Sequence, residues 1–130
     1  MHAILVFKYV FHTHDINVNI LSVQKNSKSK FEIILNGLNW KFIPYIKPGI
    51  DLCHQLIKLK SKEDNIFILE NHGLIICGQD LNQVRKLNDE VRKRLNQLEA
   101  RTFFSNDKKP HEKIDLEGTG YKFCKERFIN

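Results

Sequence analysis

The chain has 130 residues, 42% hydrophobic and 28% charged, enough for one domain with a single core; this excludes a disordered chain and a two-domain one. The formal net charge is +6, yet 15 acidic residues are mixed among 21 basic ones, which describes a solvated surface rather than a nucleic-acid-binding stripe. The three cysteines, Cys53, Cys77 and Cys124, are widely spaced with no Cys-x-x-Cys, so they read as reduced thiols of a cytoplasmic protein and exclude a disulfide framework.

The opening, Met1 to Phe11, is apolar but carries His2 and Lys8 and has no basic leader, so it does not read as a signal peptide; no apolar run reaches the length of a membrane span. Tyr9 to His14 reads as a strand. Side chains alternate along a strand, so His12 and His14 share one face and Tyr9, Phe11 and Thr13 the other. An isolated His-x-His recurs by chance, and its plainer reading is a polar strand end. Asp15 is a helix cap, and Ile16, Ile20 and Val23, with Leu21 beside them, predict a short amphipathic helix. Gln24 to Lys30 is polar and basic and reads as a surface loop, followed by the apolar run Phe31 to Leu35 and the turn dipeptide Asn36-Gly37.

Trp40 to Ile43 alternates as a strand and stops at Pro44; Pro44 to Gly49 is an extended loop. Leu52, Cys53, Leu56, Ile57 and Lys60 mark one face of a helix, with His54 off the stripe and facing solvent. Ile66 to Cys77 is two apolar runs broken by Asn71-His72-Gly73, a strand, a tight turn and a strand. That turn lifts His72 out where it could meet His12 and His14. Three neutral imidazoles with an open fourth position make a catalytic-type zinc site.

Asp80 and Gln83 form a capping box opening a long helix, whose stripe is Leu81, Val84, Leu87, Val91, Leu95 and Leu98. Asp89 with Lys93 and Glu90 with Arg94 are i,i+4 pairs, and Arg85, Lys86, Arg92, Lys93 and Arg94 read as a solvated basic face. Residues 105–113 are a lysine-rich linker, and 114–130 a tail with scattered aromatics; its Gly118-x-Gly120 is too short to define a phosphate loop.

Four stretches, in order, resemble the class II aldolase and adducin family: Val10 to His14 with its His-x-His, Ile43 to Gly49 with its proline-glycine loop, Ile68 to Leu74 with Asn-His-Gly, and Cys77 to Leu81 opening the long helix. The resemblance covers roughly Met1 to Leu98. It implies a three-layer α/β/α fold with a mixed, mostly antiparallel central sheet, incomplete here, in a domain spanning residues 1–104 with residues 105–130 as linker and tail. It implies that His12, His14 and His72 bind zinc or another divalent metal, which stabilises an enediolate as a Lewis acid while a phosphorylated sugar undergoes aldol cleavage or formation. Relatives use such sites for epimerisation or dehydration, and adducin-like members are non-catalytic interaction domains. The resemblance also implies a homotetramer; the mixed charge and the lack of a long apolar run lead us to expect no nucleic-acid or membrane partner.

Two departures stand out. The family's acid–base Glu and its phosphate-binding loops precede the segment at which this sequence starts, and Met1 to Leu5 resembles the end of the helix after that Glu. Asp15 also stands where a proline often follows the His-x-His. Glu70, two residues before His72, is then expected either to orient His72 or to face solvent, with a replacement catalytic role the weaker reading.

Overall fold

The structure, a computed structural model, describes residues 3–103. Its centre is the pair of apolar runs. Strands β3 (Ile66–Leu69) and β4 (Gly73–Gly78) are buried at every position. Continuous apolar strands of this kind are covered on both faces, and the side chains divide by alternation. Ile66, Ile68, Leu74 and Ile76 enter one core; Phe67, Leu69, Ile75 and Cys77 enter the other.

The sheet is completed by β1 (Tyr9–Thr13) and β2 (Trp40–Ile43), in the order β1-β4-β3-β2. β1 pairs antiparallel with β4, and β4 antiparallel with β3. β2 runs parallel to β3, which needs a crossover, and α3 (Ile50–Leu59) supplies it. The first core lies under α1 (Ile16–Ser22), α2 (Ser27–Ile34) and α4 (Leu81–Phe103). The second lies under α3 and the opening segment, where Leu5 is 3% exposed. The expected three-layer α/β/α fold with a mixed, mostly antiparallel sheet is therefore present.

Local chemistry explains the helix ends. Asp15 Oδ1 accepts from the N–H groups of Asn17 and Val18 at 3.0 and 3.1 Å, an N-cap on α1. At α4, Asp80 Oδ1 accepts from Gln83 N–H at 2.8 Å, while Gln83 Oε1 accepts from Gln79 N–H at 2.8 Å. This is a capping box with its return bond moved one residue upstream.

Several expectations are corrected. Residues 3–8 form turns and bends, not a helix end. The segment read as a basic loop is half helix: α2 begins at Ser27, and Ser27, Phe31 and Ile34 share its buried face. On α1 the buried residues are Val18, Leu21 and Ser22, whereas Ile16, Ile20 and Val23 are exposed. Tertiary contacts select that face, since Asp15 pairs with Arg92 at 3.8 Å and Asn17 Nδ2 donates to Asn96 Oδ1 at 3.0 Å on α4. In the stripes of α3 and α4, Leu52, Leu56, Val84, Val91 and Leu95 are buried, but Ile57 and Leu81 are exposed. Residues 105–130, read as linker and tail, lie outside the described residues.

Arg94 is not part of a solvated face. It keeps its pair with Glu90 at 2.6 Å and also donates from Nη1 to the carbonyls of Ile34 and Asn36, at 3.1 and 2.8 Å. Those carbonyls lie at the C-terminal end of α2, where carbonyls lack helical partners and the dipole favours a cation. The same bond holds the Glu90 carboxyl below its ordinary range. We expect Arg94→Ala to lower stability by about 1.5–3 kcal/mol. Lys should not restore it, because an ammonium cannot span two carbonyls and a carboxylate in the guanidinium's planar fork. Urea-unfolding midpoints of the three proteins check this.

Candidate metal centre

The site forms where β1 ends beside the β3–β4 turn. In the β1–β4 register, His12 lies opposite Ile75 and Thr13 opposite Leu74. Directly opposed residues of an antiparallel pair share a face. His12 therefore lies on the α3 side of the sheet with Ile75, and His14 follows it one pleat further on.

His72 reaches the same place through the turn. His72 N–H donates to Leu69 O at 3.1 Å, closing the chain back on itself, and Asn71 at φ +54° takes the left-handed conformation that asparagine tolerates. Gly73 is then required by crowding. A Cβ there would collide with the Thr13 carbonyl and lie 3.2 Å from His14 Cδ2. The missing side chain lets the His14 backbone close on the turn.

The three rings converge. Their centroids are 5.0 Å apart for His12–His14, 5.1 Å for His12–His72 and 5.2 Å for His14–His72, all edge to face. One nitrogen from each lies within 4.8 Å of the others, so the group could hold a metal ion. The donor set suits that role. His12 Nδ1 is 2.9 Å from Leu74 O. A carbonyl only accepts, so Nδ1 carries the proton and Nε2 keeps its lone pair. A backbone carbonyl fixing the tautomer in this way is the usual support of a ligating histidine. Burial, and then the neighbouring His12 and His14 rings, hold the His72 pKa below its ordinary value and favour the neutral form that a metal needs.

The remaining candidates fall elsewhere. Glu70 does not turn to His72: its Oε2 accepts from Tyr45 N–H at 2.8 Å. It ties down the proline-glycine loop, and among the described residues the cluster of three histidines includes no carboxylate. His54 is exposed on α3. Cys77 is buried, its thiol pushed up to about 12 by that burial, which suits an inert core residue. Ser22, on which the sequence analysis placed no role, is 1% exposed and its Oγ accepts from Asn71 N–H at 3.2 Å. A lone serine at a helix end carries no sequence signal for that contact.

A mixed sheet between helical layers, with His-x-His ending an edge strand beside a histidine-bearing hairpin turn, defines a class II aldolase-type domain. The chain belongs to the class II aldolase and adducin family: the family's N-terminal domain model matches residues 2–97. Among solved structures, the N-terminal class II aldolase domain of a conserved Thermoplasma acidophilum protein is similar with a TM-score of 0.68 and 24% identity, over 75% of this chain and 45% of that one. An aldolase II superfamily protein from Pseudomonas syringae gives a TM-score of 0.57 and 24% identity, over 75% and 41%. YgbL, a putative aldolase/epimerase/decarboxylase from Klebsiella pneumoniae, gives 0.53 and 19%, over 75% and 50%. The chain thus spans half or less of each of these. It is also 28% identical over 81 residues to the Bacillus subtilis (strain 168) uncharacterized oxidoreductase YuxG, covering 61% of this chain but 12% of that protein.

Two measurements test the local geometry. Gly73→Ala should cost about 1–3 kcal/mol, as overpacking against backbone does, and should lower the unfolding midpoint. For His72 the folded pKa lies below the unfolded value of about 6.5. Its contribution to the stability of the chelator-treated protein is then complete above about pH 6.5 and is lost as the pH falls toward the folded value, because the unfolded chain takes the proton first. Urea midpoints between pH 7.5 and 5 should fall more steeply for the wild type than for His72→Asn.

Proposed function

We propose that His12, His14 and His72 hold a divalent cation, zinc by preference, and that the domain belongs to a metal-dependent aldolase-type lyase acting on a phosphorylated sugar. The convergence of the three rings, with the His12 tautomer fixed by Leu74 O, carries this reading. Three nitrogen donors with an open fourth position match catalytic rather than structural zinc. When bound, the cation would supply Lewis acidity to a substrate carbonyl. The protein's own residues set the rest: Leu74 orients His12, Gly73 admits His14, and the turn presents His72.

Membership of the family supports a sugar-phosphate substrate and an oligomer, which we propose to be a homotetramer in the cytoplasm. No helix among the described residues is long and apolar enough to cross a membrane. The base is the open element. Glu70 is occupied by the Tyr45 N–H, and proton transfer without a positioned base forgoes about 10²–10⁴-fold in rate. A second reading is a metal-binding but non-catalytic domain of adducin type. Epimerase or dehydratase chemistry would use the same ligands.

Metal content after dialysis tests the site. Wild type and His54→Ala should keep about one zinc per chain, while His12→Ala, His14→Ala and His72→Ala should lose most of it. A His72→Ala protein with stoichiometric metal would refute the ligand set. Aldehyde release from phosphorylated ketoses by the zinc-loaded protein separates the lyase from the adducin-type reading.

A further inference from the structure

The turn that presents His72 is only three residues long, yet it is bonded from both flanks by groups distant in sequence. On one side the buried Ser22 Oγ, at the last residue of α1, accepts from Asn71 N–H at 3.2 Å and donates to Asn19 O at 3.1 Å. On the other, the Glu70 carboxylate accepts from Tyr45 N–H at 2.8 Å, and Glu70 N–H donates to Ile43 O at 3.0 Å. Ser22 joins the turn to the layer of helices on one face of the sheet. Glu70 joins it to the loop that leads from β2 into the helix on the opposite face.

We infer that Ser22 and Glu70 form a two-sided clamp that positions His72 against His12 and His14, Glu70 acting through the Tyr45 loop and not by contact with the His72 ring. The inference rests on the metal-site reading and assigns positioning residues to that site. The reasoning is geometric. His12 lies in the β1–β4 register and His14 follows directly after it against Gly73, whereas His72 sits in the turn before β4, its main chain held by the bond from its N–H to Leu69 O. Asn71, immediately before it, holds a left-handed conformation that its neighbours must maintain. The Ser22 oxygen holds the turn's own Asn71 N–H, and the Glu70 carboxylate ties the turn to the Tyr45 N–H of the facing loop, so both bonds act on position and neither touches the His72 ring. Ser22 offers its oxygen from a buried site, so Ser22→Ala would leave the Asn71 N–H without its partner.

The test uses S22A, E70A and E70Q beside the wild type. Zinc affinity is read by competition with a chromophoric chelator, and ligand geometry by the visible absorption of the cobalt(II)-substituted protein. S22A and E70A should bind zinc about 10-fold more weakly, the scale for lost ligand-supporting contacts, with altered cobalt bands. E70Q should stay near wild type, because its amide oxygen still accepts the Tyr45 N–H. Wild-type affinity and bands in S22A and E70A, with only a lowered unfolding midpoint, would overturn the clamp and leave a purely structural role. Glu70 is only partly buried, so E70A and E70Q decide the matter even where S22A fails to fold. Amide exchange in the metal-free protein gives an independent reading: Asn71 and Tyr45 should be protected in wild type, Asn71 released in S22A and Tyr45 in E70A. Unprotected amides in the wild type would refute the clamp whether or not metal binds. Protected amides in a wild type that binds no zinc would refute the metal reading and, with it, the assigned purpose of the clamp.

Discussion

The register between β1 and β4 is the constraint on which the site depends. Moving that pairing by one residue would send His12, and His14 after it, to the opposite face of the sheet, since side chains alternate with a period of two. Several features hold the register. Val10 packs with the second core and sits opposite Cys77, so a slip would expose apolar surface. The His12 ring then bonds the carbonyl of Leu74, the residue opposite Thr13. Gly73 permits the close approach at the end of the pair. Strand pairing, ring orientation and backbone proximity thus specify the same alignment independently.

Burial on both sides of β3 and β4 makes this alignment possible. A hairpin with one wet face could twist or slip against its neighbours. Here Phe67, Ile75 and Cys77 are locked under α3 while Ile66, Leu74 and Ile76 are locked under the other helices. Close packing on both faces turns the hairpin into a fixed platform, and the polar chemistry is confined to its end, where the strands stop and loops begin.

How much of this could be read in the sequence depended on whether the deciding contact was local. The hairpin was legible because its two apolar runs and the Asn-His-Gly between them are adjacent. The caps at Asp15 and Asp80 were legible because their bonds span a few residues. The convergence of His12, His14 and His72 was suggested by strand alternation and by family resemblance together. The buried face of α1 was not legible, since apolar residues lie all around it and contacts with α4 choose among them. The start of α2 was hidden by a polar first turn whose buried member is a serine. Glu70 was assigned by proximity to His72, but its partner is Tyr45, on the far side of α3 in the chain. Arg94 looked like one more surface cation until the end of α2 was brought against it.

The position of β1 at the edge of the described sheet has a kinetic meaning. Edge strands are bonded along one side only, and strand ends open more often than strand centres. An ion held by His12, His14 and His72 would tie the outermost strand to the central hairpin and close the long stretch of chain between them into a loop. Fraying of β1 would then require release of the His12 and His14 donors, and opening of the strand would favour loss of the ion. Residence time of the metal and the opening rate of the edge strand would be two measures of one motion, so a substitution on β1 far from the imidazoles could change how long the ion stays without altering how it is coordinated.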